Sequence, residues 1–221
     1  MKILAACKET AGSVARLHAQ SITTGFLSTM PAKFLAKLYS AIAKSKGSFV
    51  LVAVSESGEV SGFIAGTISV KAMYKEVITS NFLPLIWYCL PKIVSIDTVK
   101  KIMETFRYGM RKKDPAEAEN KDKVEGRERP VTGHLSRVTS SPSAELLSIA
   151  VDKTKRGAGI GKDLVAALEQ YFKENGVATY KVVTFSEDVN SNAFYTKCGF
   201  TLESHFVHHG NVMNEYIKKL S

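Results

Sequence analysis

The feature that most constrains this chain is a glycine-rich loop between an apolar run and an amphipathic one. The apolar run ends at Val151, glycines stand at positions 157, 159 and 161, and the stretch 163–168 has helical periodicity. Glycine removes the side chains that would keep an anion away from the backbone, and the first N–H groups of a helix have no partner within it. The helix dipole favours an anion at the same point. The junction therefore predicts a strand, a phosphate-binding loop and a helix, with a purely structural turn as the alternative.

Two familiar phosphate loops do not fit this stretch. The dinucleotide fingerprint G-x-G-x-x-G, begun at the first of these glycines, needs glycine where Lys162 stands. A P-loop ending at Lys162 needs glycine at Arg156 and Ser or Thr at Asp163. The pattern that fits is R-x-x-G-x-G, from Arg156 through Gly159 to Gly161. It resembles the acyl-CoA pyrophosphate loop of the GNAT acyltransferase superfamily.

A second motif follows in the run 192–200. It is similar to the family signature A-x-x-(F/L)-Y-x-x-x-G-F, with Tyr195 and Gly199 in place. Glycine at that point permits the left-handed stop of a short helix. The chain departs from the family at Ser191, where alanine is usual, and at Asp188, where asparagine is frequent. These departures affect the detail of the coenzyme contact rather than the fold.

The resemblance implies a fold class and a domain organisation. It covers residues 144–220 closely and the first 70 loosely. It implies an α/β (α+β) protein of the GNAT-type acyl-CoA N-acyltransferase fold, with a mixed central sheet flanked by helices. We expect residues 1–221 to form one such domain, with an inserted helical segment and a mobile loop at about 71–142.

The first part of the chain carries the expected local patterns. Helices are predicted over residues 10–19 and from Pro31 to a stop at Gly47. Strands are predicted over 49–54 and 60–69, joined by a hairpin turn that contains a glycine. Helical periodicity is also predicted for residues 72–111.

The resemblance also implies an activity. It implies an acyltransferase (EC 2.3.1.-) that moves an acetyl group from acetyl-CoA to a primary amine of a small molecule by direct attack, a nucleotide-linked amino sugar being one such acceptor. The alternatives are a non-catalytic acyl-CoA-binding regulatory protein and an acetyltransferase of protein amino groups. The residues expected to contact the coenzyme are Ile149, Ala150, Val151, Arg156, Gly157, Ala158, Gly159, Ile160, Gly161, Lys162, Asn192 and Tyr195.

Two side chains are candidates for proton transfer. Glu145 lies six residues before Val151, where the histone-acetylating branch of the superfamily carries its general base. Tyr195 is the candidate general acid, because a phenol can protonate a departing thiolate. The alternatives are a solvated carboxylate at a strand end for Glu145 and a space-filling aromatic ring for Tyr195.

Composition is compatible with this interpretation. A formal charge of +9 suits a phosphate-rich coenzyme, and no aromatic-basic recognition motif supports nucleic acid as a partner. Three widely spaced cysteines suit a reducing compartment, and no signal peptide is evident, so we expect a cytoplasmic protein. No metal site is expected, since no spacing typical of metal ligands is found among His18, His134, His205, His208 and His209.

The inserted segment is the most individual part of the sequence. Lys and Arg outnumber Asp and Glu between residues 71 and 113, and the segment carries apolar stripes with Trp87. Such a segment suits a helical cap over the acceptor site or a peripheral membrane contact through residues 72–111. The stretch 82–96, interrupted by Pro84 and Pro91, is too short to span a bilayer. A mobile loop is predicted at 114–133, and a homodimer is compatible with the sequence.

Overall fold

The computed structural model of this protein describes residues 1–89, 142–208 and 210–221. In these ranges the strands are β1 (Lys2–Ala5), β2 (Ser48–Val54), β3 (Val60–Thr67), β4 (Ala144–Val151), β5 (Thr179–Phe185), β6 (Thr201–His208) and β7 (Asn211–Lys219). The α-helices are α1 (Ala11–Ser21), α2 (Ala32–Lys44), α3 (Val70–Cys89), α4 (Ile160–Glu174) and α5 (Val189–Lys197). Short 3₁₀ helices cover Phe26–Thr29 and Lys153–Lys155.

The described strands form one mixed sheet in the order β1-β2-β3-β4-β5-β7-β6. Neighbouring strands run antiparallel except β4 and β5, which run parallel. A parallel pair needs a crossover, and the chain between β4 and β5 supplies it with the loop and α4. The mixed sheet flanked by helices that the sequence predicts is therefore confirmed.

Each face of the sheet carries its own apolar core. On one face, Leu17 of α1, Leu35 of α2 and Met73 of α3 pack against Phe63 of β3. On the other face, α4 packs through Leu164, Leu168 and Phe172 and α5 through Tyr195, together with Phe200, which follows α5. Because strand side chains alternate between faces, neighbouring residues of β4 serve different cores. Leu146 joins the α4 core, and its neighbour Leu147, which is partly buried, packs against the α1–α2 core.

Helix α3 lies at the start of the segment that the resemblance predicts to be inserted. Helix α3 runs from Val70 through Pro84 to Cys89, so this proline does not end the helix. None of the described helices has the combination of length and apolar character that a bilayer crossing requires. The remaining predictions for the insertion lie outside the described residues. They are the helical stripe up to residue 111, the basic cluster beyond residue 89 and the loop at 114–133.

Candidate functional site

The sheet opens between its two parallel strands. Strands β4 and β5 pair over Ala144–Leu146 and Tyr180–Val182, and no pairing between them follows. Both strands nevertheless continue, β4 to Val151 and β5 to Phe185. Their facing backbone edges therefore bound a gap that begins beyond Leu146. Main-chain groups of Ile149, Ala150 and Val151 lie along this gap.

A β-bulge marks the start of the gap. Gly66 of β3 pairs with Leu146 and Ala65 pairs with Ser148, so Leu147 is the extra residue on β4. A bulge bends the strand that carries it and increases its local twist. Strand β4 thus stays paired with β3 while it turns away from β5.

The glycine loop follows the end of β4, at the end of the gap opposite to the paired residues Ala144–Leu146. Gly157 and Gly159 have φ of +85° and +83°, and a Cβ added at either would meet no atom within 4 Å. Within the described part of the chain, the N–H groups of residues 157–161 donate to no backbone acceptor. The loop therefore offers free N–H donors and open space beside the N-terminus of α4, which fits an anion such as a pyrophosphate.

Gly161 has a different role from the other two loop glycines. A Cβ there would lie 3.0 Å from a ring carbon of Phe194 on α5. Glycine at this position lets α5 pack against the first turn of α4. The loop thus contains two glycines that leave its surface open and one that brings two helices together.

The cations around the loop are not equivalent. Lys155 is turned away from it, since its Nζ lies 2.6 Å from Glu59 Oε2 and 3.1 Å from Ser61 Oγ. Arg156 is exposed, and its Nε donates to the carbonyl oxygen of Val151 over 3.3 Å. Lys162 is exposed on the first turn of α4. Arg156 and Lys162 are therefore the exposed cations beside the loop, and their contact with a phosphate stays a prediction.

Glu145 lies at the closed end of the gap, on the face that carries α1 and α2. Its Oε2 is 3.7 Å from Lys181 Nζ of β5, which also donates to Glu215 Oε2 of β7 over 3.1 Å. Burial raises the pKa of Glu145 to about 6; Lys181 opposes this shift, and Glu215 adds to it. A carboxyl with a pKa close to the working pH suits a general base.

Tyr195 lies on the opposite face, on α5. It is 6% exposed, and its ring contacts Phe194, Phe200 and Tyr216. Burial raises the pKa of Tyr195, and the charges of Asp188 and Cys198 add to this effect. The phenol is therefore protonated at any ordinary working pH.

Comparisons with known proteins agree with this geometry. Residues 123–200 match the acetyltransferase (GNAT) family, and the part from residue 142 onward lies in the described structure. No curated protein sequence matches this chain. Among solved structures, SsHAT is similar with a TM-score of 0.66 at 15% identity, covering 100% of this chain and 98% of that one. Ard1 from Thermoplasma volcanium is similar with a TM-score of 0.56 at 15% identity, covering 100% of this chain and 97% of that one.

A third similar structure is a chimera of spermidine N-acetyltransferase SpeG from Vibrio cholerae and hSSAT. Its TM-score is 0.54 at 12% identity, covering 100% of this chain and 96% of that one. The chain contains a GNAT acetyltransferase domain. The class of activity is therefore acyl transfer, EC 2.3.1.-, and acetyl-CoA is the co-substrate typical of the GNAT family. At identities this low, the structural similarity establishes the fold and leaves the acceptor open.

Asn192 ties the GNAT signature helix to the sheet. Its Nδ2 donates to the carbonyl oxygens of Phe185 and Asp188 over 2.9 and 2.6 Å. Its Oδ1 accepts from Asn214 Nδ2 and from the Tyr216 hydroxyl over 2.7 and 2.9 Å. The amide thus has protein partners on both ends. The predicted contact of Asn192 with pantetheine would require the exchange of one of these bonds.

Several polar groups near the gap were not found by the sequence interpretation. On the α1–α2 face, His18 Nδ1 lies 2.7 Å from the Tyr39 hydroxyl, which donates to Ser148 Oγ over 3.0 Å. Lys181 and Glu215, which set the environment of Glu145, were also missed. In each case the partners are far apart in sequence, and no local motif relates them.

The histidines in the described part of the chain form no metal cluster, and no other group there has three potential ligands. His205 Nδ1 lies 2.7 Å from Asn214 Oδ1, and His18 contacts Tyr39. His134 and His209 lie outside the described residues.

Proposed function

We propose that this GNAT domain transfers an acetyl group from acetyl-CoA to a primary amine of a small molecule by direct attack. One arrangement carries the proposal: strand β4 bears Glu145 at the closed end of the gap, free backbone edges along it, and the open glycine loop at its far end. An extended thioester that lies along this strand would have its phosphates at the loop and its acyl group near Glu145.

The loop and the strand edge divide the binding of acetyl-CoA between them. The N–H groups of residues 157–161 and the positive end of the α4 dipole stabilise the pyrophosphate. The backbone of Ile149–Val151 is an unpaired strand edge, so it can bind the amides of pantetheine as a neighbouring strand would. An N–H group on the same edge can polarise the thioester carbonyl, as an oxyanion hole does.

Glu145 acts as the general base in this proposal. Its raised pKa of about 6 leaves it mainly ionised at neutral pH while keeping it a better proton acceptor than an ordinary carboxylate. Lys181, held between Glu145 and Glu215, keeps the carboxylate oriented and limits the rise of its pKa. The base takes the proton of the attacking amine, directly or through a water.

Tyr195 acts as the general acid. Because its pKa is raised, the phenol keeps its proton until negative charge develops on the leaving sulfur. The aromatic contacts of its ring hold the phenol in one orientation. Its hydroxyl supplies the proton that the thiolate of coenzyme A needs on departure.

The acceptor is proposed from charge. The chain carries a net charge of +9, and the insertion between residues 71 and 113 is rich in Lys and Arg. A segment this basic favours an anionic amine such as a nucleotide-linked amino sugar. Tyr74, near the start of α3, is close enough to Glu145 for the carboxylate charge to add to the rise of its pKa that burial causes. The insertion therefore begins beside the proposed base.

A screen of primary amines with acetyl-CoA, followed by detection of free thiol, tests the proposal. We expect amine-dependent thiol release, with anionic amines the better acceptors. Calorimetric titration with acetyl-CoA accompanies the screen. The proposal fails if neither binding nor thiol release is detected.

Two alternatives would give different results in the same experiment. A non-catalytic regulatory protein would bind acetyl-CoA and release no thiol with any amine. An acetyltransferase of protein amino groups would ignore the small amines and acetylate peptides instead, so a peptide library is included in the screen.

A further inference from the structure

A chain of three hydrogen-bonding side chains runs from the interior of the α1–α2 face to strand β4 at the gap. It consists of His18 on α1, Tyr39 on α2 and Ser148 on β4, with distances of 2.7 Å from His18 Nδ1 to Tyr39 Oη and 3.0 Å from Tyr39 Oη to Ser148 Oγ. His18 and Tyr39 are 2% and 3% exposed, whereas Ser148 is only half-buried. The chain therefore begins in the core and ends at a serine that is only half-buried.

The direction of these hydrogen bonds follows from the number of protons available. Tyr39 has one hydroxyl proton, which it donates to Ser148 Oγ. Its oxygen must then accept from His18, so the proton of the neutral imidazole lies on Nδ1. Burial lowers the pKa of His18 to about 4, which keeps the ring neutral at working pH. Each donor therefore points from the interior toward Ser148.

Ser148 ends this chain with a proton still to donate. Its oxygen accepts from Tyr39, and within the described residues its own O–H has no acceptor. Ser148 is the residue directly after the bulged Leu147, where β4 has left β5. A serine at this point presents a hydrogen-bond donor beside the gap.

The position of Tyr39 is fixed by packing. Its ring contacts Phe63 edge-on with centroids 5.0 Å apart and lies 5.7 Å from the imidazole of His18. Phe63 is fully buried on β3. Helix α2 therefore holds the hydroxyl of Tyr39 in place, and this in turn fixes the rotamer of Ser148.

Resting on the acetyl transfer proposed above, we propose that the Ser148 hydroxyl is a catalytic hydrogen-bond donor to the oxygen of the reacting thioester carbonyl, and that Tyr39 and His18 are positioning residues for it. A hydroxyl whose proton has no other acceptor suits an oxygen on which negative charge develops. Ser148 thus adds a side-chain donor to those of the β4 backbone.

Steady-state kinetics on single and double variants test the proposal. Ser148→Ala should lower kcat on the order of 10²–10³-fold, the usual effect of removing one such donor, with little change in the KM for acetyl-CoA. Tyr39→Phe should cause a smaller loss of kcat. Because Tyr39 acts through Ser148, the double variant should be no slower than Ser148→Ala alone. Losses that multiply in the double variant would overturn the positioning role of Tyr39.

Conservative and remote substitutions serve as controls. Ser148→Thr keeps a hydroxyl and should recover most of the rate. Ser48→Ala removes another buried strand hydroxyl and should leave kcat unchanged. Ser48 lies on β2, across β3 from β4, and its hydroxyl donates to Thr67 Oγ1 over 2.9 Å. His18→Asn keeps an N–H near the position of Nδ1 and should be faster than His18→Leu.

Infrared spectroscopy of bound acetyl-CoA, isotope-labelled at the acetyl carbonyl, tests the same contact without turnover. The carbonyl stretch should lie at lower frequency on the wild-type protein than on Ser148→Ala, with Tyr39→Phe between them. Equal frequencies on the wild type and Ser148→Ala would overturn the role of Ser148 while leaving acetyl transfer intact. A protein that binds acetyl-CoA with the shifted stretch but acetylates no amine would disprove the proposed function and keep this contact. Failure to bind acetyl-CoA would overturn both.

Discussion

Replacing Glu145 with glutamine should increase the stability of the protein while abolishing most of its activity. Burial is the main reason that the pKa of Glu145 rises from 4.5 to about 6, so the ionised carboxylate is less favourable in the folded protein than in the unfolded chain. At about 1.4 kcal/mol per pH unit, this difference corresponds to about 2 kcal/mol. Glutamine resembles the protonated acid and avoids that cost.

The upward shift of the Glu145 pKa determines how the stability gain of Glu145→Gln depends on pH. A group whose folded pKa is raised favours the folded state fully below its unfolded value of 4.5, and this contribution is lost as the pH rises through about 6. The free energy of unfolding of Glu145→Gln, measured relative to that of the wild type, should therefore increase by about 2 kcal/mol between pH 4 and pH 7.5. Other titrating groups are common to both proteins and cancel in the comparison.

Urea denaturation at several pH values, followed by circular dichroism, measures this difference. Glu174→Gln, which changes an exposed carboxylate at the end of α4, controls for the amide itself. Turnover by Glu145→Gln should fall by ~10²–10⁴-fold, because glutamine cannot accept the proton of the amine. A stability difference that is the same at both pH values, or a turnover within about threefold of the wild type, would rule out this role of Glu145.

Three further predictions follow from the same structure. Gly159→Ala should weaken acetyl-CoA binding in a calorimetric titration, because the added Cβ enters the space open to the pyrophosphate. The control Gly176→Ala has a similar positive φ of +71° and equally open surroundings, so it should cost comparable stability and leave acetyl-CoA binding unchanged. Equal affinities of the two variants for acetyl-CoA would disprove the loop assignment. Tyr195→Phe should keep the affinity for acetyl-CoA and lower kcat by ~10²–10⁴-fold, and a rate close to that of the wild type would leave Tyr195 a packing role only. Burial lowers the pKa of His18 from 6.5 to about 4, so the unfolded chain binds the imidazole proton more tightly than the folded protein does. About 3 kcal/mol of stability that is present above pH 6.5 should therefore be lost as the pH falls through about 4. Chemical denaturation of His18→Asn should show a smaller loss.

The sequence was sufficient for the parts of the site that local patterns determine. The strand before the loop ends at Val151, as predicted, because an apolar run followed by glycines is a local signal. The open surface at Gly157 and Gly159 also follows from residue type, because a left-handed conformation suits glycine and little else. The gap between β4 and β5 depends on where the pairing of these two strands stops, which the residues of β4 alone do not reveal.

The missed residues depend on register between distant segments. Ser148 meets Tyr39 across 109 positions of sequence, and Tyr39 meets His18 across 21. His18 lies within an apolar helix face, where its pattern is that of a core residue. The pair of carboxylates around Lys181 likewise arises only when β4, β5 and β7 are aligned. Such contacts have no fixed spacing that a sequence pattern could reveal.

In the proposed reaction, the acetyl group of acetyl-CoA moves to a primary amine. The most direct measurement takes the best amine from the screen and quantifies free thiol and acetylated amine together, by colorimetry and mass spectrometry. If the acetyl group moves to the amine, the two products should form in equal amounts, and thiol release should depend on the amine and fall in Glu145→Gln. Thiol release without an acetylated amine, or acetyl-CoA binding with neither product for any amine or peptide, would contradict the proposed reaction.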